Sequence, residues 1–393
     1  MVTHGGARFR EVFAVAEFRA LFAAQLVSVA GDQLARVALA VLVFDRTASA
    51  GWAALAYAVT LVPDLLGGPL LSGLADRYPR RSVMVAADLV RMALVAFMAV
   101  PGASLVVVGA LLVIVQLANT PWAAARAAVL PQVLSGERFV AGTAVFAMTT
   151  QAAQVLGFAT GGVLVAWLDP DGALLVDAVT FAASAALIAG GLRHRPASSG
   201  LRWRGRVLGG LALVWRDRRL RALVALACVS GFYIAGEAVA APYAAELGGG
   251  AVAVGLLLAS YAVGNVVGMA ILARLPEAVR VRSMVPMAIA SCAPLLGCAA
   301  DPGLGAVLAL WCCSGVASAY NLTASTLFVT AVPDHVRGQA FGLAVTALRV
   351  AQGAGVVVAG VAADGYAPHQ VVAAAGLLGV VAAAGAGLAW KGS

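Results

Sequence analysis

Gly73-Leu74-Ala75-Asp76-Arg77-Tyr78-Pro79-Arg80-Arg81 is a short polar interruption between two apolar runs, 50–74 and 83–100. About 20 helical residues cross a hydrocarbon core of about 30 Å, so the stretch reads as a tight basic turn between two membrane spans. Outward from it, long apolar runs and short polar breaks alternate along the chain. The first runs lie near 17–44, 50–74, 83–100, 104–130, 138–167 and 172–192. The others lie near 220–246, 251–274, 282–299, 303–331, 338–364 and 368–390. Between the two sets of six lies the one long polar stretch, 193–219, with His194, Pro196, Ser198, Ser199, Arg202, Arg204 and Arg206.

The composition agrees with this reading. Of the 393 residues 62% are hydrophobic and 11% charged, and the mean hydropathy is +0.95. A soluble domain carries about 45–50% apolar and about 25% charged residues. Almost no polar sequence is left for a soluble domain. The five cysteines, Cys228, Cys292, Cys298, Cys312 and Cys313, all fall in apolar runs without metal-ligand histidine spacing, which indicates neither a disulfide frame nor a zinc site. Arg8, Arg10 and Arg19 precede or open the first run, no small-residue cleavage site follows, and the segment reads as a first span rather than a removable signal peptide.

Arginine placement sets the expected orientation, because short loops rich in Lys and Arg stay cytoplasmic. With the amino terminus inside, Arg8, Arg10, Arg77, Arg80, Arg81, Arg138, the 193–219 cluster, Arg274, Arg280, Arg282 and Arg337 share one side. The opposite loops hold only Arg46, beside Asp45, Asp169, Asp171, Glu246, Asp301 and Asp364. Both termini are therefore expected in the cytoplasm, in a multi-pass protein of the cell membrane. The net charge of +8 reads as topological rather than as nucleic-acid binding; an anionic-lipid site in the central cluster is the other reading. The expected organisation is an N-terminal six-helix bundle over 1–192, an arginine-rich cytoplasmic linker over 193–219 and a C-terminal six-helix bundle over 220–393.

The two halves match at polar positions. Gly31-Asp32 in the first span corresponds to Gly236-Glu237 in the seventh, and Asn119 and Pro131 correspond to Asn321 and Pro333. Gln151-x-x-Gln154-x-x-Gly157 with Gly162 lies against Arg349-x-x-Gln352-x-x-Gly355 with Gly360 at one constant offset. Ordered matches of this kind argue for a parallel two-half repeat, which places a cavity between the halves.

The Gly73 to Arg81 stretch resembles the conserved loop of the major facilitator superfamily: a glycine, then Asp-Arg, then a basic pair. The second half has a degenerate counterpart, Ala273-Arg274-Leu275-Pro276-Glu277, without the acidic residue at the key place. Phe18-Arg19-x-Leu21-Phe22 before Gly31-Asp32, together with Val332-Pro333-x-x-x-Arg337-Gly338, is similar to the siderophore-exporter and macrolide-efflux branch. The resemblance covers nearly the whole chain. It implies an all-α integral membrane protein of twelve transmembrane helices in two pseudo-symmetric six-helix bundles, working by alternating access. It also implies that the loop contacts the helix starting near Arg337 and latches the inner side, a gating role carried to Gly73, Asp76, Arg77, Arg80, Arg81 and Arg337. Independently of the resemblance, Gly73 permits close helix approach and Asp76 can meet the positive end of a helix. The plain alternative is that the arginines only hold topology.

Charges inside spans are costly and are functional candidates by default. Asp32, Arg36, Asp64, Asp88, Arg91, Arg126, Asp177, Glu237 and Arg349 qualify. Asp88, Arg91 and Arg126 are expected in a structural ion network, and Asp177, a turn or two from a span end, is expected to reach water. Asp32 and Arg36 share a helix face and can neutralise each other. Asp64 and Arg349 lie at about half depth, and the family's packing of the second helix on the eleventh implies an ion pair, either a gate or a permanent bridge. Glu237 has no basic neighbour in its own span, and burial of that kind favours the protonated form of a carboxyl group. Glu237, its counterpart Asp32 and then Asp64 are the proton-coupling candidates. Gln25, Gln116, Asn119, Trp122, Tyr233, Tyr243, Tyr320 and Asn321 are the polar and aromatic members of the spans that line the cavity in this fold. A sparse set of this kind suits an amphipathic organic substrate, although Tyr243 equally fits an interfacial belt and Asn or Gln can simply bond a neighbouring helix.

The leading functional reading is a proton-driven exporter of a drug-like compound, secondary metabolite or siderophore. A proton-coupled importer of a nutrient shares the fold and the carboxylates. An enzyme is disfavoured because the sequence has no metal-ligand cluster, no nucleophile with a nearby base and no Gly-x-x-x-x-Gly-Lys-Ser/Thr loop. A channel is disfavoured by the repeat. The expected partners are the substrate, protons and the bilayer, without nucleic acid or cofactor, and the chain is read as a monomer.

Overall fold

The computed structural model describes residues 11–60, 77–135, 137–195, 216–333 and 337–391, and helices account for most of them. Twelve labels follow the expected spans: α1 is Ala16–Thr47, α2 Ala50–Val59, α3 Arg80–Met98 and α4 Leu105–Val133. The continuous stretch Glu137–Gly191 breaks at Asp169, whose φ of 57° is non-helical and which Pro170 follows, into α5 (137–168) and α6 (170–191). The seventh helix, α7, runs in four pieces, Arg218–Cys228, Ser230–Tyr233, Ala235–Ala238 and Ala240–Glu246. Then come α8 (Ala251–Arg274), α9 (Glu277–Ala290, continued by the 3-10 turn Ala293–Ala300) and α10 (Leu304–Ser318 with Tyr320–Ala331). The last two are α11 (Arg337–Ala363) and α12 (Pro368–Lys391). Among the described residues nine helical stretches are long and apolar enough to cross a membrane, and one of these holds both α5 and α6.

The chain groups into two compact units, Met1–Leu42 with Val62–Arg202 and Val43–Leu61 with Trp203–Ser393. In the first unit Phe18, Leu21, Met84, Trp122, Phe146 and Ile188 belong to one buried core. Phe18 meets Phe146 edge to face at 5.3 Å, an aromatic geometry worth about 0.5–1.5 kcal/mol beyond area burial. Arg195 clasps Glu17, at the start of α1, with bonds of 2.6 and 3.0 Å.

In the second unit, glycines bring backbones together. A Cβ on Gly264 or Gly268 of α8 would collide with the Cys312 or Val316 carbonyl of α10, and one on Gly315 with the Tyr261 carbonyl. Small residues of this kind are how membrane helices approach closely where no hydrophobic drive exists between them. Residues 43–61 precede the third span in sequence, yet they pack in this second unit. Ala54 of α2 fills the space over Gly360 of α11. Asp364 accepts from the Gly51 amide at 3.1 Å and from Ser49 Oγ at 3.1 Å, so a carboxylate sits at the N-terminus of α2, where the helix dipole favours it.

The repeat has a packing counterpart inside each unit. Gly157 of α5 faces α1, where a Cβ would stand 3.0 Å from the Ala30 carbonyl oxygen, and Gly355 of α11 faces the Gly231 carbonyl of α7. Equivalent glycines thus serve the contact of fifth with first helix and of eleventh with seventh.

Candidate functional site

Asp32 belongs to a charged network in the first unit that is centred on Arg91. Arg91 Nη2 donates to both Asp32 carboxylate oxygens, at 2.9 and 3.1 Å, and Arg91 Nη1 reaches Asp88 Oδ1 at 3.5 Å. The same guanidinium stacks 3.9 Å over the Phe181 ring, where a cation is stabilised by the ring's negative face. Trp122 Nε1 and Ser184 Oγ donate to Asp88 Oδ2 at 3.1 and 2.7 Å. Asp88 and Arg91 are fully buried; the Trp122 and Ser184 donors give Asp88 hydrogen bonds that a buried carboxylate needs, while Arg91 Nε has no partner among the described residues. Beside Asp32, Gly31 leaves room for Asp177 and Thr180 of α6, into which any Cβ would run. Asp177 is 1% exposed and accepts from Thr180 Oγ1 at 3.1 Å, so it lies away from water, contrary to its expected position. Arg126 borders this network, with its guanidinium 5.9 Å from the Trp122 ring centroid and 5.1 Å from that of Phe146; it donates to Gln25 Oε1, and Gln25 Nε2 donates to Thr150 at 2.8 Å.

In the second unit the counterpart is Glu237, 8% exposed, in the interrupted part of α7. The hydroxyl of Tyr57, on α2, donates to Glu237 Oε2. One turn back, Tyr233 accepts from Asn321 Nδ2 at 2.6 Å and stacks on Tyr261 with ring centroids 5.9 Å apart. Tyr320 is fully buried and donates to the Leu226 carbonyl at 2.7 Å. Gly236, next to Glu237, abuts the Trp311 ring, to which a Cβ would come within 3.0 Å. Arg349 Nη1 donates to Gln352 Oε1 at 3.0 Å. An apolar cavity of about 670 Å³ opens among α7, α11 and α12, walled by Gly231, Ala235, Gly355 and Leu378, with Tyr366 and Gln370 at one end.

The sequence model described as Major Facilitator Superfamily matches residues 21–243, more than half of the chain. The chain belongs to the major facilitator superfamily. No curated protein matches it significantly. Its fold is similar to that of an inward-facing bacterial homologue of the human lysosomal transporter Spinster, with TM-score 0.72, 16% identity, and 96% of this chain and 97% of that one covered. It is similar also to the nucleoside transporter NupG, with TM-score 0.74, 13% identity and coverage of 95% and 99%. A third such structure is an inward-facing bacterial homologue of the iron transporter ferroportin, with TM-score 0.68, 15% identity and coverage of 94% and 98%.

This superfamily member is thus a multi-pass membrane transporter of the all-α major facilitator fold, not an enzyme. The fold implies secondary transport of a small-molecule substrate by alternating access. The structure distributes the residues expected to matter in distinct ways. Asp32 and Glu237 each sit beside a donor from another helix, and that donor was not foreseen from sequence. Trp122 and Tyr320 direct their polar atoms at a neighbouring helix, whereas Gln116 and Asn119 are half-buried and make no hydrogen bond among the described residues. Arg80 and Arg81 donate to the Ala128 and Ala189 carbonyls near the ends of α4 and α6, where cations are favoured. Arg77 is exposed beside Tyr78. Gly73, Asp76 and Asp64 lie outside the described residues, as does the side chain of Arg337, which opens α11. Tyr57 is a single tyrosine in an apolar run, and no sequence signal sets it apart as a partner of Glu237.

Proposed function

We propose that this transporter exports an amphipathic or hydrophobic organic compound, such as a drug, secondary metabolite or siderophore, in exchange for protons. The observation that carries the proposal is Glu237, a buried carboxyl group in the broken middle of α7 with a hydroxyl donor from α2. Discontinuous helices at mid-membrane are where transporters of several folds hold substrates and coupling ions. A neutral hydroxyl donor serves a buried carboxyl group in either charge state, which suits that group to take up and release a proton. Asp32 is its partner in the repeat, and Asp64 is held in reserve. Gln25, Gln116, Asn119, Tyr233 and Asn321 supply few polar atoms among apolar neighbours, which suits a substrate held chiefly by apolar contact.

The remaining expectations belong to the same proposal. Two six-helix bundles rock about the cavity, joined by the cytoplasmic linker 193–219. The loop from Gly73 to Arg81 latches the inner side, both termini lie in the cytoplasm, and the protein works in the cell membrane as a monomer. Likeness to the siderophore-exporter and macrolide-efflux branch supports export over import.

Everted vesicles containing the transporter test this directly. On energisation they should accumulate amphipathic fluorescent dyes, ethidium among them, and a protonophore should release the dye. Accumulation that is indifferent to the protonophore would remove proton coupling, and uptake only in right-side-out vesicles would replace export with import.

A further inference from the structure

Glu246, Asp301 and His369 come from three separate turns of the second unit: the end of α7, the end of α9 with its 3-10 turn, and the start of α12. One ligand atom from each, two carboxylate oxygens and an imidazole nitrogen, lies within 4.8 Å of the others. His369 Nδ1 contacts Glu246 Oε1 and stands 3.9 Å from Asp301 Oδ1. We infer that these three residues form a binding site for a divalent transition-metal ion, with Zn²⁺ as its reference occupant.

The donor chemistry favours this class of ion. Imidazole with carboxylates suits zinc and its first-row neighbours, whereas calcium and magnesium take oxygen ligands. A metal bonded at about 2.0–2.2 Å to each atom needs donors roughly 3.4 Å apart, by tetrahedral geometry at those lengths. The His369–Asp301 separation closes by about half an ångström to reach that value, and the His369–Glu246 contact opens by a side-chain rotation.

The surroundings also favour a cation. Among the described residues neither carboxylate is paired with an arginine or lysine, so two negative groups share a single imidazole. The backbone orients Glu246, because the His369 amide donates to its Oε2 at 3.2 Å and leaves Oε1 turned to the imidazole. Hydrogen bonds of this kind orient metal ligands. The His369 side chain is 14% exposed and that of Asp301 is 65% exposed, so an ion enters past Asp301 and keeps water on its open side. A bound ion ties three turns of one unit together and takes no part in the proton step proposed above, on which this inference does not depend.

Full-length transporter purified without a polyhistidine tag and stripped with chelator is titrated with Zn²⁺ by calorimetry. One ion per chain is expected, not displaced by equimolar Mg²⁺, with a Zn²⁺-dependent rise in melting temperature through preferential binding to the folded state. Asp301→Asn and His369→Ala should each weaken binding by more than about tenfold, since even supporting partners of a metal ligand are worth tenfold or more. Asp301→Asn is the decisive variant, because the Asp301 side chain is 65% exposed and asparagine keeps its size and accepts its positive φ of 48°. Its melting temperature in chelator should match that of the parent. Absence of Zn²⁺ binding, or undiminished affinity in either variant, overturns the site.

Discussion

The carboxyl groups of Asp32 and Glu237 occupy the same place in the repeat, each after a glycine that admits a neighbouring helix, and their surroundings differ in kind. Asp32 meets the guanidinium of Arg91, which also serves Asp88 and stacks on Phe181. Glu237 meets the phenol of Tyr57. A charged partner binds a carboxylate into a structural unit, because separating the two inside low dielectric is costly. A neutral donor exacts no such cost when the carboxyl group changes its charge. On the function proposed above, Asp32 belongs to an ionic frame in the first unit, and Glu237 is the coupling candidate whose hydroxyl donor fits a change of charge.

The sharpest way to break this division is to remove the cation. Arg91→Ala leaves Asp32 and Asp88 without their shared guanidinium in the first unit, and breaking a buried pair costs about 3–5 kcal/mol. The variant should be scarce in membranes, and the detergent-solubilised remainder should melt well below the parent. An abundant Arg91→Ala protein with unchanged melting would show that the frame is dispensable.

The second effect is expected to spare stability and remove function. Glu237→Gln keeps an oxygen to accept from Tyr57 and carries no charge in any state, so its stability should stay within about 1 kcal/mol of the parent. It should exchange dye down a gradient and fail to accumulate it against one, since coupling requires that protonation favour one of the two transport states. Asp32→Asn, in contrast, should lower abundance along with transport. Equal phenotypes for the two substitutions would erase the division between the halves.

Most of the fold was legible in the sequence because hydrophobic runs and polar breaks report on membrane crossing directly, without reference to packing. The break between α5 and α6 was marked by Asp169, Pro170 and Asp171, and the repeat by glycines that make equivalent contacts, Gly157 on α1 and Gly355 on α7. Pairing across helices was not legible. Spacing shows which residues share a face of one helix, so Asp32 suggested Arg36; which face meets α3, and hence Arg91, is decided by packing alone. Trp122 and Tyr320 show the same limit. An aromatic ring with a polar tip looks alike in sequence whether the tip meets a ligand or, as here, Asp88 and the Leu226 carbonyl. The Glu246, Asp301 and His369 cluster was invisible for a related reason, since its members share no local spacing.

The smallest expected effect is also the most specific to the second half. Tyr57→Phe removes one hydroxyl and leaves the ring in the apolar contact of Tyr57 and Ala58 with Ile234 and Ala238, so abundance should be unchanged. The lost bond matters differently to the two forms of Glu237. A hydrogen bond to a charged group is worth about 1.5–3 kcal/mol and one between neutral groups about 0.5–1.5 kcal/mol, so its removal penalises the ionised form by roughly 1 kcal/mol more than the protonated form. On the coupling role proposed for Glu237, the pH profile of dye efflux should shift by less than about one unit. Maximal rate should fall little. A profile that stays in place while Glu237→Gln abolishes accumulation would mean that Tyr57 only packs against α7 and that another group sets the proton affinity of Glu237.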